Sequence, residues 1–275
     1  MSMLGALNKF LFNYHTLDVH LVPPTRSLVV TLKRPTKKNA INNEMIFELE
    51  TLSTWLMEHS EVHSVLFKGR GGYFSCGFDL EEVKASDIDS LRKLILRFQK
   101  LTHSMFELPQ TLFFDFGTGA AGAGIELSSA ADIRLCAPEA QFTFNQLENA
   151  LPLNVGLLGA VMERSLLRYS ALSGVSVGAR EFITNGFVHD VSSKPEKYMK
   201  SIAKQSPVAR IQTKKALHEA MRPDLERARA YDKSTALGAI ETLDYQKQKS
   251  SEYIKARDFA ELISEQQAQT QRQEA

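Results

Sequence analysis

The sequence predicts an α/β fold: a largely parallel sheet first, then a helical C-terminal region. Three observations carry that expectation. Between residues 17 and 136, runs with strand character alternate with runs whose apolar residues recur at helical spacing. After Pro152 the helical pattern takes over. The 275 residues, 43% hydrophobic and 24% charged, suffice for a sizeable core, as one large domain or as a domain with a smaller appendage.

The elements follow in order. Stretches 17–22 and 27–32 are predicted strands, with Pro23-Pro24-Thr25 supplying the turn between them. In 42–59, Met45, Ile46, Leu49, Leu52 and Leu56 mark one face of a helix. A short apolar strand at 64–67 runs into Gly69-Arg70-Gly71-Gly72. A helix at 88–108, a strand at 111–116, a helix at 122–131 and a strand at 133–136 complete the alternation. Such succession implies right-handed crossovers between parallel strands. Beyond Pro152, helices are expected at 179–185 and 208–221. From Pro223 the chain is polar and rich in Ala, Glu, Lys and Gln, and 265–275 has almost no apolar anchor, so a frayed or disordered tail is expected there.

Composition narrows the function. A formal charge of +1 argues against an extended nucleic-acid footprint, which needs concentrated positive charge. Cys76 and Cys136 suggest no disulfide framework and fit a reduced cytosolic setting. Residues 1–12 are interrupted by Asn8 and Lys9 and lack the long apolar core of a signal peptide or membrane span, so a cytoplasmic protein is expected. No Cys/His cluster has metal-ligand spacing. No G-x-G-x-x-G fingerprint follows the first strand, which disfavours a dinucleotide-binding dehydrogenase.

Two distant segments carry most of the chemistry. Tyr73-Phe74-Ser75-Cys76-Gly77-Phe78-Asp79-Leu80 and Gly119-Ala120-Ala121-Gly122-Ala123-Gly124-Ile125-Glu126-Leu127 are each a small-residue turn entering a helical segment. Such turns let backbone N–H groups face outward, and two of them together could aim two donors at one developing oxyanion. The second also delivers a carboxylate, Glu126, into a helix flanked by Ile125, Leu127, Ala130 and Ala131. A carboxylate on so apolar a helix needs a partner or a task.

Both segments resemble the paired signatures of the enoyl-CoA hydratase/isomerase (crotonase) superfamily. The first matches its F-S-x-G-x-D-L turn, the second its Gly-rich turn ending in E-L, followed by Asp132-Ile133-Arg134. Lys33-Arg34-Pro35-Thr36-Lys37-Lys38-Asn39-Ala40, Leu172-Ser173-Gly174, Gly186-Phe187-Val188 and Ser206-Pro207-Val208-Ala209 extend the match, in order, over roughly residues 15 to 220. The resemblance implies a spiral of ββα units over 1–200 and a helical trimerisation region over 201–264, with 265–275 as the tail. It implies an acyl-CoA enzyme without a further cofactor, the coenzyme A thioester being the substrate. A homotrimer or dimer of trimers is implied, with no nucleic-acid or membrane partner.

Carried over residue by residue, the oxyanion donors are the N–H groups of Phe78 and Ala123, and Glu126 is the acid/base. The family's second hydratase glutamate falls, on an ungapped match through Pro152, at Asn145, which cannot take a proton but can hydrogen-bond water or substrate. Glu148, one helical turn on, could replace it only if the backbone ran differently; a solvated surface glutamate is the plainer reading. Two-glutamate hydration is therefore displaced in favour of one-carboxylate chemistry: double-bond migration, a decarboxylation or C–C cleavage, or slow hydration. A non-catalytic acyl-CoA-binding member is the alternative from another class. For the coenzyme, Lys37, with Lys38 beside it, falls near the phosphates. The backbone at Ala40, Cys76, Asp79 and Leu80 falls near the adenine and pantetheine. Asp79 equally suits a helix cap, and Cys76 a small space-filler. His63, His103 and His189 read as structural, and Tyr231 and Tyr245 are C-terminal tyrosines with no assigned task.

Overall fold

The computed structural model describes residues 13–149, 151–191 and 194–241. Strands β1 (Leu17–Val22) and β2 (Ser27–Leu32) form an antiparallel pair across a 3-10 turn at Pro23–Thr25. The prolines fix φ in that turn, and Arg26 takes a left-handed conformation (φ 49) that releases the chain into β2. From β2 onward the main sheet is parallel, through β3 (Ser64–Gly69), β4 (Thr111–Asp115), β6 (Ile133–Cys136) and β9 (Asp190–Val191), in the order β1-β2-β3-β4-β6-β9.

Helices α1 (Asn43–Glu58) and α3 (Ile88–Phe106) make the first crossovers, and the short α2 (Leu80–Ala85) precedes α3. Each begins on a side-chain cap. Asn42 accepts from the Met45 N–H at 3.0 Å, Asp79 from Glu81 at 3.2 Å and Asp87 from Ser90 at 2.7 Å, which satisfies N–H groups that the helix itself cannot. Met45, Ile46, Leu49, Leu52 and Leu56 of α1 are buried, as are Leu91, Leu94, Ile95, Phe98, Leu101 and Met105 of α3. Burying each such side chain contributes about 1.5–3 kcal/mol.

A second, three-stranded sheet has the order β5-β7-β8: β5 (Gly119–Ala121), β7 (Gln141–Thr143) and β8 (Val177–Gly178). Its strands are two or three residues long, too short for an alternating pattern, and the sequence did not reveal them. Phe142 of β7 stacks on Phe182 at 4.3 Å and meets Phe116 edge-on at 4.9 Å, which anchors the small sheet in the core.

The helix expected at 122–131 is shorter: α4 (Ala123–Leu127) passes into a 3-10 turn at Ser128–Ala130. The hydroxyls of Ser128 and Ser129 bond back to the Ile125 and Glu126 carbonyls at 2.7 and 2.6 Å. The buried Arg134 guanidinium closes the segment by donating to the carbonyls of Ser128, Ala131 and Phe187. Helices α5 (Val155–Val161), α6 (Arg164–Ser173), α7 (Ala179–Thr184), α8 (Glu196–Ala203) and α9 (Pro207–Glu241) follow.

The helix expected over 208–221 instead runs through Pro223 to Glu241. A proline there removes one bond of the helical ladder. Tertiary packing on both sides holds the helix together. His218 stacks on Phe106 at 3.8 Å, Lys214 donates to Gln110 and to the Asp132 carboxylate, and Leu225 and Asp232 are buried. Thus α9 lies against α3 and α5. The expected tail at 265–275, Tyr245 and the last part of the 201–264 region lie outside the described residues. Among the described residues no helix is long and apolar enough to cross a membrane.

Candidate active site

The two small-residue turns, forty-odd positions apart in sequence, are stitched together by the backbone. Phe74 donates its N–H to the Gly119 carbonyl at 3.0 Å, and Ala121 donates to Ser75 at 2.8 Å. Gly77 has φ 95, and a Cβ there would stand 3.0 Å from the Ala123 nitrogen and 3.1 Å from the Ala121 carbonyl oxygen. Gly124 is equally constrained, since its Cβ would lie 2.7 Å from the Ser75 carbonyl oxygen. Glycine at these positions is a condition for the two turns to touch.

The loop at 34–41 braces the first turn from the other side. Asn39 is buried with φ 54; its Oδ1 accepts from the Arg34 N–H, and its Nδ2 donates to the carbonyls of Arg70 and Tyr73 at 3.0 and 2.8 Å. Ser75 donates its hydroxyl to the Asn39 carbonyl and accepts from the Gly77 N–H. Ile41 bonds to Gly77, and the Asp79 N–H bonds to Ile41. That alternation turns the intervening Phe78 N–H the other way. Among the described residues neither the Phe78 N–H nor the Ala123 N–H meets a protein acceptor. The Phe78 ring packs edge-on against Phe98 of α3 at 4.9 Å, which fixes the orientation of its peptide.

Glu126 sits in α4, one turn beyond Ala123, and is 2% exposed. Burial pushes its carboxyl from 4.5 up to about 8. The Gln146 side chain, donating from Nε2 at 2.5 Å, and the Asn154 backbone N–H oppose that rise, while the charge of Asp232 adds to it. The result is a carboxyl that exchanges its proton near neutral pH, which suits a general acid/base.

The partner of Glu126 is thus Gln146, one residue beyond the position reached from sequence. Parallel pairing of β5 with β7 sets Ala121 opposite Thr143, and the Gly122 N–H extends the ladder to the Thr143 carbonyl. Two residues further, Asn145 and Gln146 flank the start of α4. Asn145 places its Oδ1 2.6 Å from where a Cβ of Gly122 would stand, while its carbonyl accepts from the Asn149 side chain. Gln146 reaches Glu126. Glu148 is exposed, in the 3-10 turn Leu147–Asn149. Gln146, Asn154 and Asp232 were not singled out from sequence. Their meeting depends on a three-residue parallel pairing and on a helix roughly a hundred residues away, neither of which leaves a local pattern. The Gln146 Oε1 and Asn154 Oδ1 atoms are buried without a hydrogen-bond partner among the described residues.

The residues expected to face the coenzyme cluster at the other side of the first turn. The exposed Lys37 ammonium pairs with Glu81 at 2.5 Å, and Lys38 takes a left-handed conformation (φ 47). Ala40 is buried, its carbonyl accepting from Arg34 Nη1 at 2.6 Å. Cys76 donates its N–H to the Lys38 carbonyl and its thiol to Lys37 at 3.4 Å; burial pushes the thiol up, away from thiolate chemistry. Asp79 caps α2 and accepts from Arg34 Nη2 at 2.8 Å. Burial works to raise its carboxyl, but Arg34 and the α2 amides outweigh that and hold it below the ordinary value. Leu80 opens α2, partly buried against the core. His103 accepts from Arg229, His189 from the Arg134 N–H, and His63 is buried, all in structural positions. Tyr231 is exposed on α9. Among the described residues no cluster of His, Cys, Asp and Glu could hold a metal ion.

Comparison with known proteins finds relatives in sequence and in fold. The Δ(3,5)-Δ(2,4)-dienoyl-CoA isomerase of Rattus norvegicus mitochondria is 29% identical over 220 residues, 72% of this chain and 67% of that protein. A short-chain-enoyl-CoA hydratase of Clostridium acetobutylicum is 25% identical over 241 residues, covering 83% and 91% of the two chains. In fold, an enoyl-CoA hydratase/isomerase from Xanthobacter autotrophicus Py2 superposes with a TM-score of 0.79 at 22% identity, over 94% of this chain and 99% of that one. The crotonase-like fold is thereby shared. Since the model of the enoyl-CoA hydratase/isomerase family matches residues 26–260, the chain belongs to that family of acyl-CoA enzymes.

Proposed function

We propose that this enzyme moves a carbon–carbon double bond within an enoyl-CoA thioester, with Glu126 as the single proton carrier. One observation carries the reading: the only group hydrogen-bonded to the buried Glu126 side chain through its own side chain, among the described residues, is the amide of Gln146. Hydration by paired carboxylates would need a second group able to take a proton, and an amide has none to take or give in this pH range. A single carboxyl suffices for isomerisation. Glu126 removes a proton from the carbon between the thioester and the double bond, and the electron pair delocalises onto the thioester oxygen as a dienolate, or as a trienolate when the substrate is a 3,5-dienoyl thioester. Glu126 then returns the proton at the other end of the conjugated system. Nothing is gained or lost, so no redox cofactor or water enters the balance.

The negative oxygen that forms on the way is met by the Phe78 and Ala123 N–H groups. Their geometry supports the role: the two turns are held in contact by Gly77, and neither N–H has a protein acceptor among the described residues. Fixed donors of this kind contribute about 3–4 kcal/mol each to the transition state. Lys37, together with the backbone around Ala40, Cys76, Asp79 and Leu80, receives the coenzyme, the exchange of Glu81 for a phosphate at Lys37 being the polar step. The reading includes a cytoplasmic homotrimer or dimer of trimers assembled through the C-terminal helices. The likeness to the dienoyl-CoA isomerases supports the reaction class.

The test is turnover of 3,5-octadienoyl-CoA, followed by the ultraviolet absorbance of the conjugated product and by mass spectrometry, with crotonyl-CoA alongside. A mass-neutral shift of the double bond that Glu126→Gln abolishes is the expected result. Gain of one water on crotonyl-CoA at a higher rate would make the enzyme a hydratase. Tight binding of both thioesters without turnover would make it an acyl-CoA-binding member of the family or a catalyst of C–C cleavage.

A further inference from the structure

The loop at 34–41 and the short helix α2 are held by three polar ties, and the three are not alike. Arg34 Nη2 donates to the Asp79 carboxylate at 2.8 Å, with the two side chains only 20% and 10% exposed. Glu82 accepts from the Asn43 N–H and from the Asn43 side chain at 3.0 and 2.6 Å, which fastens α2 to the start of α1. The third tie, Lys37 to Glu81 at 2.5 Å, lies in solvent: the lysine side chain is 41% exposed and the glutamate 82%. Ion pairs so exposed contribute little to stability, so this one can open while the other two stay closed. Cations also outnumber acids here. Lys33 is engaged by the Tyr14 carbonyl at 3.1 Å, and Arg34 by Asp79 and the Ala40 carbonyl. Lys37 and Lys38 remain exposed, and Glu81 is the one carboxylate in ion-pair range of either among the described residues.

We propose that Glu81 is an internal competitor for the coenzyme: its carboxylate pairs with Lys37 in the free enzyme, yields the lysine to a coenzyme phosphate, and takes it back as the product leaves. The inference rests on the reading of Lys37 as a coenzyme contact given above. The exchange is one of side chains only. Asp79 and Glu82 keep α2 in place through Arg34 and Asn43, so the helix has no need to move. A phosphate monoester carries about two negative charges at neutral pH and offers three acceptor oxygens, against one charge and two oxygens on the glutamate, so it wins the lysine. Glu81 therefore lowers the affinity for the coenzyme without touching the reacting end of the thioester.

The test is calorimetric titration with coenzyme A, at low salt, of wild type, Glu81→Gln, Lys37→Gln and the double variant. Glu81→Gln is expected to tighten binding by about two- to fivefold, the range that an exposed ion pair spans. In the Lys37→Gln background the same substitution is expected to change nothing, because the competition needs the lysine. Equal or weaker binding by Glu81→Gln overturns the proposal. So does a gain of the same size in both backgrounds, which would make Glu81 a source of general repulsion at the surface. The two ideas fail separately. A Lys37→Gln protein that binds like wild type removes the coenzyme role of Lys37, and this inference with it. Weakened binding by Lys37→Gln beside an inert Glu81→Gln overturns the inference only.

Discussion

Replacing Glu126 by glutamine should make the protein more stable, and by an amount that depends on pH. The carboxyl is isosteric with the amide, and glutamine keeps an oxygen to accept from Gln146 at the 2.5 Å contact. What it loses is the cost of ionising a fully buried acid. The folded carboxyl titrates at about 8 against 4.5 when exposed, so the folded state holds the proton more tightly. Wild type therefore loses stability relative to Glu126→Gln as pH rises from the lower value through the upper one, and no further above it. At about 1.4 kcal/mol per pH unit, the gap should widen by about 2–3 kcal/mol between pH 6 and pH 9. For a chain of this size that corresponds to roughly 5–10 °C in Tm. Histidines that titrate in the window act on both proteins alike and cancel. Thermal unfolding of the pair in a series of buffers reads the effect. Parallel stability curves, or a gap that narrows with pH, would refute the account of Glu126 as a buried carboxyl with a raised pKa.

Further changes probe the surroundings of Glu126. Gly77→Ala puts a Cβ 3.0 Å from the Ala123 nitrogen at φ 95, so kcat on 3,5-octadienoyl-CoA should drop about 100-fold with stability lowered by about 1–3 kcal/mol; unchanged kcat would remove the first turn from the reacting end. Gln146→Glu sets a second carboxylate 2.5 Å from the first, and two like charges there cannot both ionise. The rising limb of the pH–rate profile should move to higher pH, and hydration of crotonyl-CoA should gain on isomerisation; an unaltered profile would show that residue 146 does not face the reacting proton. Arg134→Lys keeps the charge but cannot span the carbonyls of Ser128, Ala131 and Phe187, so chemical denaturation should reveal a loss of about 2–4 kcal/mol. A neutral result would mean that α4 is held from elsewhere.

How far the sequence could be read depended on the range of the interaction. β1, β2 and β6 were found to the residue, because each is an apolar run bounded by prolines, glycines or charges. The helices expected at 42–59 and 88–108 were legible from their apolar spacing and stand at Asn43–Glu58 and Ile88–Phe106. Within the site, Glu126 and the two turns stood out because their residue types are unusual in sequence. Gln146 did not: the register of β7 on β5 is set by three pairs of residues, and a match through Pro152 fell one position short, at Asn145. Asp232 was further out of reach. It lies in a polar stretch indistinguishable by composition from a solvated helix face. Its burial arises only because α9 continues through Pro223 and meets α5.

The stitching of the two turns divides the labour of the molecule. Phe74 to Gly119, Ala121 to Ser75 and the glycine contact at Gly77 tie the catalytic end into a single unit of main chain, indifferent to which side chains surround it. The remaining wall, α3 and the loop into α5, meets that unit through Phe98 on Phe78 and through Gln146 at Glu126. Substitutions at Phe98 or Gln146 are therefore expected to change the surroundings of the two turns while the main-chain contacts between them stay. A protein built this way can change its preferred molecule in small steps without relearning its chemistry.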